Sequence, residues 1–244
     1  MILNLIIDVG NTQIKIAVFN RGELQMKEFC SNSTFIRVIK KLQEKFPDLK
    51  NAIISSVGSF NTENITWTTT RFKTLFLSSQ LKLPFTNKYA TPDTLGVDRI
   101  ALVSAAVLKY PNKNCLIIDA GSCITYDFIS ANGEYYGGAI SPGIKMRYQA
   151  LHTFTDKLPL LSINNEKKYI GNTTQSSINI GVLQGVLFEI EGYIARYNED
   201  FKDLTVILTG GDTYYLLDSL NFNIFANSNF LLEGLNHILE HNLY

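Results

Sequence analysis

The chain writes one phrase twice, and that repetition constrains its fold more than any other feature. Leu5-Ile6-Ile7-Asp8-Val9-Gly10-Asn11-Thr12 returns as Leu116-Ile117-Ile118-Asp119-Ala120-Gly121-Ser122-Cys123, an offset of 119 − 8 = 111 residues. Gly22-Glu23 returns as Gly133-Glu134 at the same spacing, 133 − 22 = 111, so the copy spans a whole hairpin. Each copy is a short apolar run ending in Asp, a spacer, Gly and a small polar residue, which predicts a buried strand running into a tight turn. Glycine lets such a turn approach a ligand closely, and the Asn, Thr or Ser that follows offers amides and hydroxyls to phosphate oxygens. The Asp would repel a bare phosphate. It fits there with a cation between them, or as a base. Two such turns facing one another would grip a nucleoside triphosphate from both sides. A single copy would read first as a hairpin turn with Asx hydrogen bonds; the duplication at a fixed offset reverses that preference in favour of the ligand.

A chain of 244 residues with 45% hydrophobic content can bury a large core, and the repeat divides it into two halves. Lys and Arg (22) balance Asp and Glu (22), so no global basic field favours nucleic acid as a partner. Cys30, Cys115 and Cys123 lack C-x-x-C spacing, and His152, His237 and His241 complete no transition-metal set. His237 and His241, one helical turn apart, read as a solvated helix face. The apolar start stops at Asp8, short of a secretory or membrane-spanning segment, so the expectation is a cytoplasmic protein with reduced thiols and no membrane partner.

In chain order, residues 2–8, 13–20 and 23–29 predict a three-stranded meander, with Lys15 on the opposite face from Ile14, Ile16 and Val18. Lys15 is expected either in the Asp8 pocket or on an exposed face. Ser33 is the expected cap of a helix over 34–46, followed by strands at 52–57 and 75–77 around an ambiguous Thr-rich stretch at 62–73. The loop 83–95 delivers Tyr89 and then Gly96-Val97-Asp98-Arg99 to the start of a helix. Asp suits that first turn, where a cap is its plain role; Arg opposes the helix dipole there, which suggests another purpose. Pro111 to Asn114 is the expected boundary, giving domains 1–112 and 113–244. The second half repeats the meander at 115–119, 122–129 and 134–140. Gly137 to Gly143 leads into a helix at 144–153 and suits a backbone approaching a ligand, or a simple connection. Residues 155–171 read as irregular. Thr173 or Thr174 caps a long apolar helix to about 199, in which Gly181 and Gly185 suit a dimer seam or an intradomain core. Residues 204–208 form a last strand, Thr209-Gly210-Gly211-Asp212 a turn suited to a nucleoside or its phosphates, and 230–241 a final helix.

Two Asp-x-Gly turns on the first hairpins of two α/β halves resemble the superfamily of actin, sugar kinases and heat-shock chaperone ATPases. The resemblance implies two tandem ribonuclease-H-like domains, each a mixed sheet flanked by helices, with ATP in the interdomain cleft. Within it, Asp8-x-Gly-Asn-Thr-x-x-Lys15, Gly96-x-Asp98-Arg99, Asp119-x-Gly-Ser122 and Gly171-x-x-Thr174 resemble type III pantothenate kinase over nearly the whole chain. That family implies phosphorylation of pantothenate to 4′-phosphopantothenate, the first step of coenzyme A biosynthesis. It implies Asp8, Val9, Gly10, Asn11, Thr12, Gln13, Ile14 and Lys15 as the first phosphate loop and Asp98 as the base. Tyr89, Gly96, Val97, Asp98, Arg99 and Thr174 would surround pantothenate, Asp119 would hold a monovalent cation (K⁺ or NH₄⁺), and Ser122 would contact ATP. Ser122 stands where the family usually has Thr, and Cys123 where it has a small apolar residue. Mg²⁺ is expected with ATP, and the assembly is expected to be a homodimer. Such phosphoryl transfer needs positioning, charge neutralisation and a carboxylate to accept the alcohol proton. The competing expectations are another small-molecule kinase of the superfamily, or a regulatory member of the accessory transcription factor kind.

Overall fold

Six strands and three helices build the first part of the chain. They are β1 (Leu3–Val9), β2 (Ile14–Asn20), β3 (Glu23–Cys30), α1 (Phe35–Lys45), β4 (Asn51–Ser56), α2 (Thr62–Thr69), β5 (Lys73–Phe76), a two-residue β6 (Thr86–Asn87) and α3 (Val97–Lys109). The computed structural model describes residues 3–164 and 168–243. The expected strand residue Ile2, and residues 165–167 of the stretch read as irregular, lie outside them.

The chain divides into two compact units, Met1–Pro111 with Asn229–Tyr244, and Asn112–Ser228. In the first, the sheet order is β3-β2-β1-β4-β5; the meander is antiparallel, and β1, β4 and β5 run parallel. Every residue of β1 is buried, as expected for a central strand covered on both faces. Leu3, Leu5, Ile7 and Val9 point into a core with Phe35, Ile39 and Leu42 of α1. The strand's period of two then sends Asn4, Ile6 and Asp8 to the other face.

That second face is where the final helix, α7 (Phe230–Leu243), returns. The sequence reading assigns all of 113–244 to the second domain, whereas residues from Asn229 onward group with the first unit. The reasons are local. A Cβ on Gly234 would collide with the carbonyl of Ala101, so only glycine lets α7 lie this close to α3. Leu235, Ile238 and Leu239 are fully buried, each stabilising the fold by about 1.5–3 kcal/mol. Asn4 Nδ2 donates to Asn236 Oδ1 (2.8 Å) and Glu240 Oε1 (3.2 Å), which pins the helix to β1. His237 and His241, read as solvated, are partly buried, their rings 6.2 Å apart; burial first, then His241, lowers the His237 pKa.

The second unit repeats the plan with β7 (Cys115–Ala120), β8 (Cys123–Ile129), β9 (Glu134–Pro142), α4 (Ile144–Thr153), α5 (Thr174–Asp200), β10 (Thr205–Thr209), α6 (Thr213–Leu216) and β11 (Ile224–Ala226). Its own strands run β11-β10-β7-β8-β9, the same mixed topology. Gly22 and Gly133, the repeated pair, both take positive φ (79° and 72°) in the second hairpin turn of their meanders. This is a backbone region glycine enters without cost. The α/β reading with two mixed, helix-flanked sheets therefore holds.

Four local expectations change. Thr34, rather than Ser33, precedes α1, and Ser33 Oγ pairs with Ser31 Oγ instead. Most of the Thr-rich stretch is helical, α2 ending at Thr69, and Thr68, Thr69 and Thr70 each donate a hydroxyl to the carbonyl four residues back, which satisfies the hydroxyls locally. Strand β11, and the two-residue β6 inside the expected loop 83–95, add to the expected elements. Gly138 and Gly143 approach the chain's own backbone, at Tyr126 and at Gly121–Ser122. In α5, Thr173 and Ser176 form a capping box, and Ile178, Val182, Val186, Ile190 and Ile194 face the core. Among the described residues α5 is the one helix long and apolar enough to cross a membrane, and half of its apolar window is buried in the fold.

Candidate active site

The first unit gathers three of the implied groups at the end of β1. Asp8 is opposite Lys15 on β2, and residues directly opposite in an antiparallel pair share a face. Lys15 Nζ lies 3.3 Å from Asp8 Oδ2, so the lysine reaches the aspartate while its side chain stays 38% exposed. Burial raises the Asp8 pKa, Lys15 opposes that rise, and the nearby Asp98 carboxylate adds to it. A carboxyl whose folded-state pKa lies above its ordinary value costs stability at neutral pH and returns it as the pH falls through that value. The fold bears this cost at the mouth of a turn, where a bound cation would relieve it.

The turn itself is set by its neighbours. Gly10 N–H donates to Gln13 O (3.1 Å), closing the loop, and Val57 and Gly58 amides both donate to Val9 O (3.1 Å each). A Cβ on Gly58 would strike the Gly10 carbonyl, so glycine at the end of β4 is what admits the turn. Asn11, Thr12 and Gln13 are exposed, whereas Val9 and Ile14 are core residues that offer a ligand their backbone alone.

Asp98 is the second residue of α3, and its Oδ1 accepts from the Arg99 amide (2.9 Å). It makes no side-chain cap; Gly96 stands at the cap position, and a Cβ there would crowd Asp98 Oδ1. Arg99 is only 5% exposed, its guanidinium 5.6 Å from the Tyr89 ring centre. Burial against an aromatic face explains why an arginine is tolerated where the helix dipole disfavours it. Val97 adjoins them at the helix start.

The second unit holds Asp119, Ser122 and Thr174. Its Asp-x-Gly turn is one residue shorter: Asp8 pairs with Lys15, but Asp119 pairs with Thr125. On the parallel side, Asp8 sits beside Ser55 and Asp119 beside Thr209. Where the first unit places its own ammonium next to the aspartate, the second therefore places a threonine. Thr125 is 9% exposed and its Oγ1 has no hydrogen-bond partner among the described residues. An orphaned buried hydroxyl level with a carboxylate fits a cation bound through oxygens. The shorter hairpin was the signal in the sequence, and a fixed offset of 111 hides it.

Gly210, at φ +96°, presses on Ala120 and Asp119, and the Asp212 amide donates to Ala120 O (2.9 Å). The Gly210–Gly211 turn thus buttresses the second Asp-x-Gly turn; the helix after it has four residues. Burial raises the Asp212 pKa, with Lys145 opposing it. Ser122 is exposed. Thr174, the first residue of α5, is exposed on a groove of ≈ 910 Å³ that it shares with Arg147, Leu151, Ile178 and Gly181. Gly171 fixes the approach to that helix, since a Cβ there would strike Ser177.

Residues 4–196 match the type III pantothenate kinase family. The chain is 50% identical over 240 residues to the type III pantothenate kinase of Christiangramia forsetii, covering 98% of this chain and 99% of that one. It is 46% identical over 237 residues to that of Flavobacterium psychrophilum, covering 97% and 98%. Among solved structures, a Campylobacter jejuni protein described as a Baf family transcriptional activator superposes with a TM-score of 0.58 at 21% identity, covering 98% of both chains. Component A of the Acidaminococcus fermentans (R)-2-hydroxyglutaryl-CoA dehydratase superposes at 0.53 with 14% identity, covering 99% and 98%. At these identities the structural neighbours speak for the fold alone.

Proposed function

The chain belongs to the type III pantothenate kinase family, and from that premise we propose how its residues carry out ATP-dependent phosphorylation of pantothenate in coenzyme A biosynthesis. The observation that carries the proposal is the grouping of Asp8, Lys15 and Asp98 in one unit, close enough for Asp98 to raise the Asp8 pKa. Asp98 Oδ2 takes the proton of the primary alcohol while Oδ1 stays on the Arg99 amide. The alcohol oxygen then bonds to the γ-phosphorus as the bond to the ADP oxygen breaks, leaving 4′-phosphopantothenate and ADP. Tyr89, Gly96, Val97 and Arg99 hold pantothenate, and a guanidinium suits recognition of an anionic group.

Asp8 through Lys15 form the phosphate loop, Lys15 answering the negative charge and Mg²⁺ arriving with ATP. Ser122 contacts the nucleotide. Asp119 would hold K⁺ or NH₄⁺, with Thr125 beside it in register, and such an ion would offset negative charge between the aspartate and the nucleotide. ATP consumption with and without pantothenate tests the activity. ADP release that requires pantothenate and fails with sugars is expected; release independent of pantothenate would refute this assignment.

We assign the enzyme to the cytoplasm and to a homodimer seamed by α5, with Thr174 lying on the groove at the start of that helix. Gly181, Gly185 and Gly192 have open space where a Cβ would stand, and Phe188 between them is 55% exposed. Their spacing of four, three and four residues is one helical stripe, suited to close approach of a second helix. Light scattering across a dilution series should give twice the chain mass; a monomer at every assay concentration would end the dimer assignment.

A further inference from the structure

Ser122 reaches a nucleotide only if its turn is held, and the second unit holds that turn from outside. The Gly143 amide donates to Ser122 O (3.2 Å), and a Cβ on Gly143 would collide with the carbonyls of Gly121 and Ser122. This is contact between two backbones, so its position depends on whatever fixes Ser141 to Gly143 at the end of β9. Arg147, one turn into α4, does so: Nε donates to Pro142 O (2.9 Å) and Nη2 to Ser141 Oγ (2.8 Å).

The guanidinium is in turn oriented from α5. Arg147 Nη2 donates to Glu189 Oε2 (2.5 Å), and Glu189 Oε1 accepts from the Tyr126 hydroxyl (2.9 Å). Tyr126 lies on β8, four residues beyond Ser122, and stacks on Tyr193 of α5 at 4.0 Å. The contacts form a closed ring from the turn through β8, α5 and Arg147 to the end of β9 and back to the turn. Burial works against the Glu189 charge, yet hydrogen bonds from Arg147, Ser141 and Tyr126 outweigh it and lower the Glu189 pKa. The carboxylate is therefore ionised at neutral pH, and a charge-assisted bond is about twice as strong as a neutral one.

We propose that Glu189 and Arg147 are positioning residues for the nucleotide, acting together to press Ser141–Gly143 against the Gly121–Ser122 turn. The proposal deepens the kinase reading and rests on the second turn meeting ATP. Neither residue touches the reacting atoms.

The test uses Glu189→Gln, which keeps shape and acceptor but loses the charge, and Ser141→Ala, which loosens the other end of the clamp. Both should raise the KM for ATP, Glu189→Gln by about tenfold, the scale of one weakened charge-assisted hydrogen bond. The KM for pantothenate and the melting temperature should stay near wild type. Amide hydrogen exchange should quicken at Ser141 and Gly143, which flank Pro142, and remain slow in the body of α5. Unchanged exchange at these two amides would overturn the clamp, and faster exchange with an unaltered KM for ATP would overturn its role in nucleotide binding. A uniform fall in kcat with a lowered melting temperature would reduce the pair to general structure and also overturn the proposal. Ser122→Ala separates the two levels. If it leaves the KM for ATP unchanged while Glu189→Gln raises it, the Ser122 hydroxyl contact fails and the positioning of the turn backbone stands.

Discussion

Asp98→Asn is expected to lower turnover by about a hundredfold or more, the scale of a missing general base, with the melting temperature close to wild type. The fold makes this separation clean. Asp98 provides no cap to α3, and the one bond it makes there, from the Arg99 amide to Oδ1, survives in the amide side chain. What is lost is the carboxylate's capacity to take a proton. Asp98 also adds to the elevated pKa of Asp8, so removing its charge lets Asp8 ionise more readily and weighs against any loss of stability. Turnover within a few-fold of wild type in a folded Asp98→Asn protein would remove Asp98 from the chemistry.

The second large effect concerns the monovalent cation. Activity should depend on K⁺ or NH₄⁺, and Asp119→Asn should weaken that dependence while raising the ATP requirement more than the pantothenate requirement. The two meanders supply the reason. At the same level of the sheet, one aspartate faces an ammonium 3.3 Å away and the other faces a threonine. A second carboxylate beside polyphosphate repels it unless a cation intervenes. The Thr125 hydroxyl beside it is buried with no hydrogen-bond partner among the described residues, which leaves an oxygen for a cation there. Initial rates against K⁺ at fixed Mg²⁺, with Na⁺ or a bulky organic cation keeping ionic strength constant, measure the dependence. A wild-type rate indifferent to both K⁺ and NH₄⁺ would assign Asp119 another role.

The duplication made the two sheets legible, because a strand-and-turn phrase repeated with its hairpin glycine fixes three strands at once. The shorter second hairpin was countable but masked by the constant offset, so Thr125 went unread as the counterpart of Lys15. The destination of α7 was not in the periodicity at all. An apolar stripe says that a helix is covered, whereas Gly234 against Ala101 and Asn236 against Asn4 say by what. Strand β11 is three partly or fully exposed residues, too few to carry an alternation. The Arg147–Glu189 pair spans 42 residues and joins helices whose sequences each read as ordinary amphipathic segments.

The return of α7 also bears on how the protein is made. The first unit is begun before the second is synthesised and is completed only after it. Between Pro111 and Asn229 the ribosome adds 228 − 111 = 117 residues, on the order of ten seconds of synthesis. Throughout that interval the α3 surface at Ala101 and Ala105, and the amide of Asn4, await their cover. The second unit, continuous in sequence, can be whole before the first is.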